Sequence, residues 1–432
     1  MKKFSLSFIM IIGNLLFPQS SFSQSESDQS SAKDTLPAPY ATNSAMNFNK
    51  VIGWEEGKAP KAPAGFKVEK FAADLQGPRW IYVMPNGDVL VAEAKKEEKG
   101  IKKVAAKVIG AGKVHGTSGN MNSIILFRDT NKDGKPDVRK TFLSGLNLPF
   151  GMLLLKNYFY VANTDELWRY PYKTGETTIT AKGEKITDYP GMGRHWTRNI
   201  IANKEGTKIY IGVGSSSNVA ENGMDKEDHR ACIIEINPDG SGKRIYASGL
   251  RNPVGMDWMP GTNTLWTAVN ERDELGDDLP PDYLTSVKEN GFYGWPYSYW
   301  GNHPDPRMKP GERHEELTSK AIVPDMPLGA HTASLGLVFY EGQMFPEHYH
   351  HGAFIGQHGS WNRTVPSGYK VVFVPFANQK PKAMEDFLTG FLADEKKNEA
   401  YGRPVGVAVM HDGSLLVADD GGNAIWRVSY AK

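Results

Sequence analysis

The sequence has 432 residues, of which 40% are hydrophobic and 23% are charged, and its formal net charge is +1. A chain of this length can bury a large core, and its balanced charge argues against nucleic acid or an acidic membrane as a partner. Cys232 is the only cysteine, which excludes an intrachain disulfide and a zinc site built from thiolates.

The N-terminus predicts export. Two lysines precede an apolar stretch from Phe8 to Phe17, and the small residues Ser21 and Ser23 follow it, as in a secretory signal. We expect residues 1–23 to be a cleaved signal peptide and the polar residues 24–47 to be a flexible leader. No later run reaches the ~18 apolar residues of a membrane helix. The sequence therefore predicts a secreted or periplasmic protein without stable membrane insertion.

One motif recurs along residues 48–432: a turn with Gly, Pro or Arg/Asn, an alternating apolar run, a tight turn and a second apolar run. Its six copies span residues 77–94, 148–170, 195–218, 250–271, 334–359 and 402–428. Tight turns such as PNGD and HDGS between such runs are typical of β-hairpins. Six such units predict an all-β fold, a six-bladed β-propeller in a single domain, because radial repetition protects the sheet edges. A β-sandwich or two β-domains is the alternative.

The lysine-rich stretch at 93–107 mixes both charge signs, which predicts a solvated loop. Other basic groups follow the repeats instead. The residues that begin or end repeats are Arg79, His195, Arg251, Arg363 and Arg403. Loops next to the innermost strands of a propeller meet at one mouth, so we expect these groups to face one another. A ligand with several carboxylates would match them, because guanidinium groups bind carboxylates bidentately. For each residue alone, a structural salt bridge is the alternative.

An acidic loop follows the fourth repeat. Its carboxylates are Glu271, Asp273, Glu274, Asp277, Asp278 and Asp282, interrupted by glycine and proline. Calcium prefers oxygen ligands from carboxylates and backbone carbonyls, so the loop predicts a calcium site. A solvated acidic loop is the alternative.

Two other motifs are ambiguous or weak. Residues 129–137 begin like an EF-hand loop but lack its final glutamate, and either a second calcium site or a plain β-turn fits them. The histidines 348, 350, 351 and 358 favour exposed or hydrogen-bonded side chains over a zinc site. The sequence contains no dinucleotide-binding or P-loop motif and no GxSxG, which argues against nicotinamide and phosphoryl-transfer chemistry.

The stretch GLRNPVGMDW, followed by NERDELGDDLPPDYLTSVKENGFYGWP, resembles the glucose/sorbosone dehydrogenase superfamily. These quinoproteins hold pyrroloquinoline quinone (PQQ) on a six-bladed propeller. GPRWIYVMPNGDVLVAEA is similar to the family's first blade, GMGRHWTRNI to its histidine-bearing loop, and GRPVGVAVMHDGSLLVADDGGNAIWRV to its closing blade. The resemblance extends from about Gly65 to Val428. QHGSWNRTVPSGYKVVFVPF resembles the sorbosone and pyranose dehydrogenase branch.

The resemblance implies roles for individual residues. His195 would be the base that takes the hydroxyl proton, and Arg251 would stabilise the resulting anionic oxygen. Asn252 would hold the quinone's polar edge together with Arg251. The remaining residues implied to bind PQQ are Arg79, His358, Arg363 and Arg403. The chain departs from the family where His358 and Arg363 stand near the position of a late lysine, and where GRPVG has a single arginine.

The resemblance also implies Ca²⁺ as a Lewis acid beside the quinone. Its ligands would be main-chain carbonyls near Arg272 and Asp273, and the side chains of Asp273, Glu274, Asp277 and Asp278. An Asp or Glu that orients His195 is expected, but the sequence does not identify it.

These features together predict a PQQ- and Ca²⁺-dependent dehydrogenase of a sugar, a sorbosone-like sugar aldehyde or a related alcohol, with a cytochrome or quinone as electron acceptor. The alternatives are a Ca²⁺-dependent lactonase-like hydrolase, which would place carboxylates from several blades in the channel, and a non-catalytic carbohydrate-binding propeller. Aromatic residues suited to sugar stacking are Trp196, Trp295, Trp300 and Trp361.

Overall fold

The computed structural model describes residues 1, 36–94, 122–191 and 193–431. The predicted signal peptide beyond Met1, and the predicted solvated loop from residue 95 onward, lie outside these residues. The compact unit is Pro37–Lys432, and it is almost entirely β-structure. Within the described residues, no helix has both the length and the apolar character needed to cross a membrane.

Six antiparallel sheets of four strands each form the described fold. Two strands precede the first sheet, β1 (Lys50–Val51) and β2 (Phe66–Ala72). The first sheet contains β3 (Pro78–Val83), β4 (Val89–Ala94), β5 (Asn122–Arg128) and β6 (Val138–Leu143). The second contains β7 (Met152–Leu155), β8 (Tyr158–Ala162), β9 (Glu166–Pro171) and β10 (Glu184–Asp188). The third contains β11 (Ile200–Ala202), β12 (Ile209–Val213), β13 (Cys232–Ile236) and β14 (Arg244–Ser248).

The fourth and fifth sheets carry insertions before their last strands. The fourth contains β15 (Pro253–Trp258), β16 (Leu265–Val269) and β17 (Pro281–Ser286), then a separate hairpin of β18 (Ser298–Tyr299) and β19 (His303–Pro304), and finally β20 (Met326–Ala330). The fifth contains β21 (Ser334–Phe339), β22 (Ala353–Gln357) and β23 (Lys370–Val374), then a hairpin of β24 (Phe376–Ala377) and β25 (Lys380–Pro381), and finally β26 (Glu385–Leu388). The short helices are α1 (Glu315–Ser319) and the 3-10 turns Met224–Glu227, Pro310–Glu312 and Glu347–Tyr349.

The sixth sheet joins the two ends of the compact unit. A small sheet of β27 (Leu392–Asp394) and β28 (Glu399–Ala400) first pairs with β1. The sixth sheet then contains β29 (Pro404–Val409), β30 (Leu415–Asp419) and β31 (Ala424–Tyr430), with β2 as its outer strand. The N-terminal strand thus completes the sheet that the C-terminal strands begin, and this pairing covers an edge of β31.

Contacts between sheets run in chain order and return to the start. Glycines in the inner strands permit close approach: a Cβ atom at Gly255 would lie 2.6 Å from the main-chain oxygen of Leu335, and one at Gly406 would lie 2.8 Å from that of Arg79. Equivalent approaches occur at Gly151 to Ile200, at Gly212 to Pro253 and at Gly336 to Val405. Trp80 and Phe150, with ring centroids 4.7 Å apart, link the first two sheets. One cavity of about 260 Å³ is lined by residues from one strand of each sheet, namely β3, β7, β11, β15, β21 and β29.

Each of the six predicted repeats contributes the first two strands of a sheet, and the predicted all-β class is confirmed. In four sheets a β-bulge interrupts the register at the start of the first strand, namely in β3, β15, β21 and β29. A bulge redirects the side chain it contains. The bulge of β3 contains Arg79, whereas those of β15, β21 and β29 contain the buried apolar residues Val254, Leu335 and Val405.

Candidate active site

His195 lies in the loop before β11, and one of its ring nitrogens is fixed. Its Nδ1 lies 3.0 Å from the main-chain oxygen of Ser215 and 3.1 Å from Ser215 Oγ. A carbonyl oxygen can only accept, so this contact assigns the proton to Nδ1 and leaves the lone pair on Nε2. Burial, followed by the positive charges of Arg251 and Arg194, holds the pKa of His195 well below its ordinary value. The imidazole is therefore neutral near neutral pH, and its Nε2 can act as a base.

The turn that carries Ser215 is held by a buried carboxylate. Ser215 Oγ donates to the main-chain oxygen of Ser217 at 2.6 Å. Glu227 accepts from the main-chain N and Oγ of Ser216 at 2.8 and 2.6 Å, and from Ser217 Oγ. These three donors compensate for the burial of its charge. Among the described residues no carboxylate hydrogen-bonds to His195, so a backbone carbonyl occupies the place where the sequence predicts an Asp or Glu.

Arg251 precedes β15 and is fully buried. Its Nε donates to the main-chain oxygen of Asn218 at 3.2 Å, and its Nη1 donates to those of Asn270, at 3.3 Å, and Glu271. Its Nη2 donates to Asn218 Oδ1 at 2.8 Å and to Asp273 Oδ2 at 3.3 Å. All five N–H groups thus have protein acceptors, and burial lowers the pKa of Arg251 to about 10. Arg251 fixes the end of β16, and the ligand contact predicted for it would require one of these bonds to break.

Asn252 contacts the His195 loop through a glycine. A Cβ atom at Gly214 would overlap both His195 Cβ and Asn252 Oδ1, so the close approach of these two residues requires glycine. Asn252 Oδ1 is buried and has no hydrogen-bond partner. Such an atom is costly unless a ligand or water satisfies it. We call His195, Ser215, Arg251, Asn252 and Asp273 the His195 cluster.

The side chains predicted to bind a metal do not converge. Arg272 is buried and donates to Glu271, Asp305 and two main-chain oxygens. Asp273 accepts from Arg194 Nη2 at 2.7 Å. Burial raises the pKa of Asp273, but its interaction with His331, followed by the charges of Arg251 and Arg194, lowers that pKa to about 2. Asp273 is therefore an anion that is already paired.

The other acids of this loop have separate partners or none. Glu274 is exposed. Both oxygens of Asp277 accept from the main-chain N of Thr364 at 3.1 Å, and Asp278 accepts from Arg363 Nη2 at 2.6 Å. Within the described ranges no group of three or more His, Cys, Asp or Glu side chains is placed to hold a metal ion. The Arg363–Asp278 pair is a surface ion pair, and Arg363 hydrogen-bonds to no member of the His195 cluster.

A second cluster lies where the fifth, sixth and first sheets meet. His358 Nε2 lies 2.9 Å from Asp420 Oδ1 and 3.4 Å from Arg79 Nη1, which also donates to Asp420. Arg403 donates to the main-chain oxygens of His358 at 3.0 Å and Gly359 at 3.1 Å. Burial, then the charge of Arg403, lowers the pKa of His358 to about 4. We call Arg79, His358, Arg403 and Asp420 the His358 cluster.

The two guanidinium groups of the His358 cluster keep donors unused. In the described part of the chain, Arg403 Nη1 has no hydrogen-bond partner, and Arg79 Nε is buried without one. The cluster adjoins the His195 loop, because Arg79 Cζ lies 5.4 Å from the ring centroid of Trp196. The structure therefore brings Arg79, His358 and Arg403 together, and Arg79 links them to Trp196, the residue after His195.

The loop at 129–137, for which the sequence leaves a second calcium site and a plain β-turn open, forms local turns. Asp129 accepts from the main-chain N of Asp133 and of Gly134, at 3.2 and 2.7 Å. Asp137 accepts from Thr130. These side chains cap the backbone of their own loop. In the histidine group, His348 contacts Glu385 and His350 contacts the main-chain oxygen of Phe345.

Sequence reasoning missed Ser215, Asn218, Glu227 and Asp420. Ser215 and Asp420 follow the second strands of their sheets, and antiparallel pairing places that end beside the start of the first strand. Applying this rule to each repeat would have identified both positions. Nothing in the sequence indicates Glu227, which acts through a 3-10 turn at Met224–Glu227.

The chain was compared with known proteins. It matches the TrAA12-like family over residues 60–290 and 306–431. An uncharacterised protein of Borreliella burgdorferi is 32% identical over 308 residues, covering 68% of this chain and 78% of that protein. A pyrroloquinoline quinone-dependent pyranose dehydrogenase of Coprinopsis cinerea is 24% identical over 417 residues, covering 82% of this chain and 52% of that protein. The chain thus spans about half the length of that dehydrogenase.

Solved structures share the fold. The family AA12 enzyme of Trichoderma reesei has a TM-score of 0.71 at 19% identity, covering 89% of this chain and 100% of that chain. The holo PQQ domain of pyranose dehydrogenase from Coprinopsis cinerea has a TM-score of 0.69 at 20% identity, covering 88% of this chain and 100% of that chain. The chain therefore belongs to the TrAA12-like family, within the superfamily of PQQ-dependent sugar dehydrogenases that its motifs resemble.

Proposed function

We propose that this protein is an exported oxidoreductase, built as a closed six-bladed propeller, that oxidises a sugar, a sugar aldehyde or a related alcohol with PQQ as hydride acceptor. The observation that carries the proposal is His195. It is a partly buried, neutral imidazole whose Nδ1 is fixed by Ser215 and whose Nε2 is unengaged among the described residues, near the guanidinium groups of Arg251 and Arg194. A general base with a cationic binding site beside it is what oxidation by an anionic quinone requires.

The relatives support the same class of reaction. One is named as a PQQ-dependent pyranose dehydrogenase, and another, from Escherichia coli, as an aldose sugar dehydrogenase that is 30% identical over 186 residues. The PQQ-bound aldose sugar dehydrogenase of Streptomyces coelicolor shares the fold, with a TM-score of 0.55. At these identities the substrate of this chain stays a proposal.

The residues present fit PQQ, which carries three carboxylates. Arg79 and Arg403 outnumber the one carboxylate of their cluster, Asp420, so the His358 cluster keeps an excess of positive charge. Arg79 Nε and Asn252 Oδ1 are buried polar atoms without partners, and a polar ligand would satisfy them. Arg79, Arg403 and Asn252 are therefore the residues that would hold the quinone. Arg251 would act by keeping the loop that follows β16 rigid.

Different residues of the chain would carry out different parts of the reaction. When bound, PQQ supplies a two-electron acceptor for the hydride that leaves the substrate carbon. His195 Nε2 takes the hydroxyl proton of the substrate, so that the alcohol becomes a carbonyl. Ser215 keeps the ring in the tautomer that can accept that proton. Trp196, the residue after His195, packs against Arg79, whose Cζ lies 5.4 Å from its ring centroid.

Calcium fits less well than PQQ. Asp273, Asp277 and Asp278 are paired with Arg194, the backbone of Thr364 and Arg363, respectively. The main-chain oxygen of Asp273, predicted as a ligand, accepts from Asn218 Nδ2 and Arg307 Nη1. A calcium structure exists among the AA12 relatives.

The alternatives have less support. A lactonase-like hydrolase needs carboxylates from several blades in the channel, but the residues that line the cavity between the first strands include one carboxylate, Asp257. A purely carbohydrate-binding propeller gives no reason for a partly buried, neutral base beside unpaired guanidinium donors.

Reconstitution tests the proposal. The purified protein is titrated with PQQ, with and without Ca²⁺, and dye reduction is followed with aldoses, sorbosone-like aldehydes and alcohols. We expect saturable PQQ binding and dye reduction with at least one sugar. Absence of PQQ binding in both conditions would overturn the proposal. Turnover that is equal with Ca²⁺ and with a chelator would show that the reaction does not require calcium.

A further inference from the structure

An N-terminal arm, residues 38–54, crosses the loops beside the His195 cluster. The main-chain N of Tyr40 donates to the oxygen of Leu275 at 2.8 Å, and Thr42 Oγ1 accepts from the main-chain N of Asp277 at 2.7 Å. Further along, the main-chain N of Asn47 donates to the oxygen of Trp361 at 2.7 Å. The arm therefore touches the acidic loop and then the loop that carries Trp361.

Asn47 fastens the arm on both sides. Its Nδ2 donates to the main-chain oxygen of Thr364 at 2.9 Å, and Asn398 Nδ2 donates to the main-chain oxygen and Oδ1 of Asn47 at 2.7 and 2.9 Å. The next residue, Phe48, is held by these bonds and remains 46% exposed. Phe48 thus presents part of its ring to solvent from a backbone that is held in place on both sides.

Phe48 is the outer member of a stack that begins at Arg194, the residue before the proposed base. Arg194, the neighbour of His195 in the chain, has its Cζ 5.4 Å from the ring centroid of Trp361. Trp361 stacks on Phe48 with ring centroids 5.4 Å apart and planes 14° apart. The stack therefore leads from the loop of His195 outward to an exposed aromatic face.

The other predicted tryptophans offer less. Trp295 and Trp300 are 3% and 9% exposed, and Trp295 Nε1 donates to the main-chain oxygen of Asn218. Trp196 packs against Phe150 and Arg79. Phe48 thus combines an exposed aromatic face with a fixed position near the base.

We propose that Phe48 is the platform of an outer sugar subsite, and that the substrate is an oligosaccharide whose reacting end lies at His195 and whose next sugar rests on Phe48. This rests on the proposed function for the reacting end only. The C–H face of a pyranose is apolar and suits an aromatic ring. The ion pair of Arg363 and Asp278, whose side chains are 26% and 53% exposed, lies in the same loops as Trp361 and can hydrogen-bond sugar hydroxyls. Arg194 occupies the boundary between the two sugar positions.

Phe48→Ala tests the subsite in the full-length chain, with Met46→Ala as the matched control. Met46 lies on the same arm and is 77% exposed. Binding of D-glucose, maltotetraose and cellotetraose is measured by calorimetry without PQQ, and KM and kcat are measured after PQQ loading. We expect at least one tetrasaccharide to bind more tightly than glucose. Phe48→Ala should raise its Kd and KM roughly threefold to tenfold, as for a lost aromatic contact, with kcat and all glucose parameters unchanged.

Met46→Ala should match the wild type throughout. The subsite is overturned if neither tetrasaccharide binds more tightly than glucose, or if Phe48→Ala binds tetrasaccharides like the wild type. The two proposals fail separately. Tetrasaccharide binding that depends on Phe48 without any sugar oxidation would keep the subsite and overturn the dehydrogenase. Glucose oxidation with no effect of Phe48→Ala would do the reverse.

Discussion

The His195 cluster and the His358 cluster each contain histidine, arginine and aspartate, but the side chain that keeps unused hydrogen-bonding atoms differs between them. In the first, all five N–H groups of Arg251 are bonded to the protein, while His195 keeps Nε2 unengaged in the part of the chain that is described. In the second, His358 Nε2 contacts Asp420, while Arg403 keeps donors unused. One cluster therefore offers a base, and the other offers cations.

The difference shows that residue type and position along a repeat do not determine a role. Both histidines are partly buried and have a lowered pKa, yet only His195 has its ring oriented by a carbonyl oxygen. A carbonyl cannot donate or ionise, so it fixes one tautomer of the ring and leaves the other nitrogen as an acceptor. In the second cluster, the carboxylate of Asp420 instead contacts Nε2 of His358. We expect variants of His195 and of the residues that position it to affect chemistry, and variants of Arg79 and Arg403 to affect cofactor binding.

The largest effect is expected from His195→Gln. Removing the base should lower kcat about 10²- to 10⁴-fold while PQQ binding stays within error. Because the pKa of His195 is lowered, wild-type kcat/KM should stay flat from neutral pH down to about pH 6.5 and fall only in more acidic solution. His348→Gln, at an exposed ion pair with Glu385, is the control. Full activity in His195→Gln would exclude this residue as the base.

Arg403→Gln should weaken PQQ binding instead. Loss of charged donors to a carboxylate predicts a Kd about 10- to 100-fold higher, with kcat at saturating PQQ within about threefold of the wild type. The measurement is a titration of protein fluorescence with PQQ. Arg427→Gln, which loses an ion pair with Asp412 elsewhere in the same sheet, controls for stability. An unchanged Kd would contradict the division between the clusters.

His358 should be visible in the stability of the protein. Its folded pKa of about 4 lies below the ordinary value, so the unfolded chain takes up a proton first as the pH falls. Its contribution is thus present above about pH 6.5 and is lost progressively toward about pH 4, by about 1–3 kcal/mol. Denaturant unfolding of the wild type and His358→Gln checks this. The advantage of the wild type should shrink across that window, and a constant difference would contradict the neutral state of His358.

The smallest effect is expected from Glu227→Gln. The amide nitrogen cannot accept from Ser216 or Ser217, so the turn beneath Ser215 loosens and His195 is less well aligned. We expect kcat about threefold to tenfold lower, with KM and PQQ affinity unchanged. Asp239→Asn is a matched control, because Asp239 accepts from the main-chain N and Oγ of Ser241 in a turn that joins β13 to β14. A loss of thermal stability without a change in kcat would assign Glu227 a purely structural role.

The fold could be predicted because the same hairpin pattern occurs six times in the sequence. Each hairpin has apolar alternation and a turn signature, and six copies reinforce one another. The arginine and asparagine before β15, and the arginine before β29, could be identified because they occupy the same phase of the repeat. Arg79 lies against Trp196, the residue after His195, and Arg403 donates to the main-chain oxygen of His358.

The partners of these residues were not predictable. Arg251 uses main-chain oxygens of Asn218, Asn270 and Glu271, and any sequence supplies such oxygens. The acidic loop looked like a metal site because its carboxylates are dense, but density in sequence does not make side chains converge. Asp277 caps the backbone of Thr364, and Asp278 pairs with Arg363, far along the chain.

The pairing of β2 with β31 has a consequence for how the chain is made. β2 precedes its partner β31 by the other five sheets, so its position in the sixth sheet cannot be filled until all of them have been synthesised. Until then Phe66 lacks the rings of Phe345, Tyr349 and Phe387 that surround it in the finished fold. We therefore expect the apolar side of β2 to stay exposed in the nascent chain, where holding chaperones can bind it.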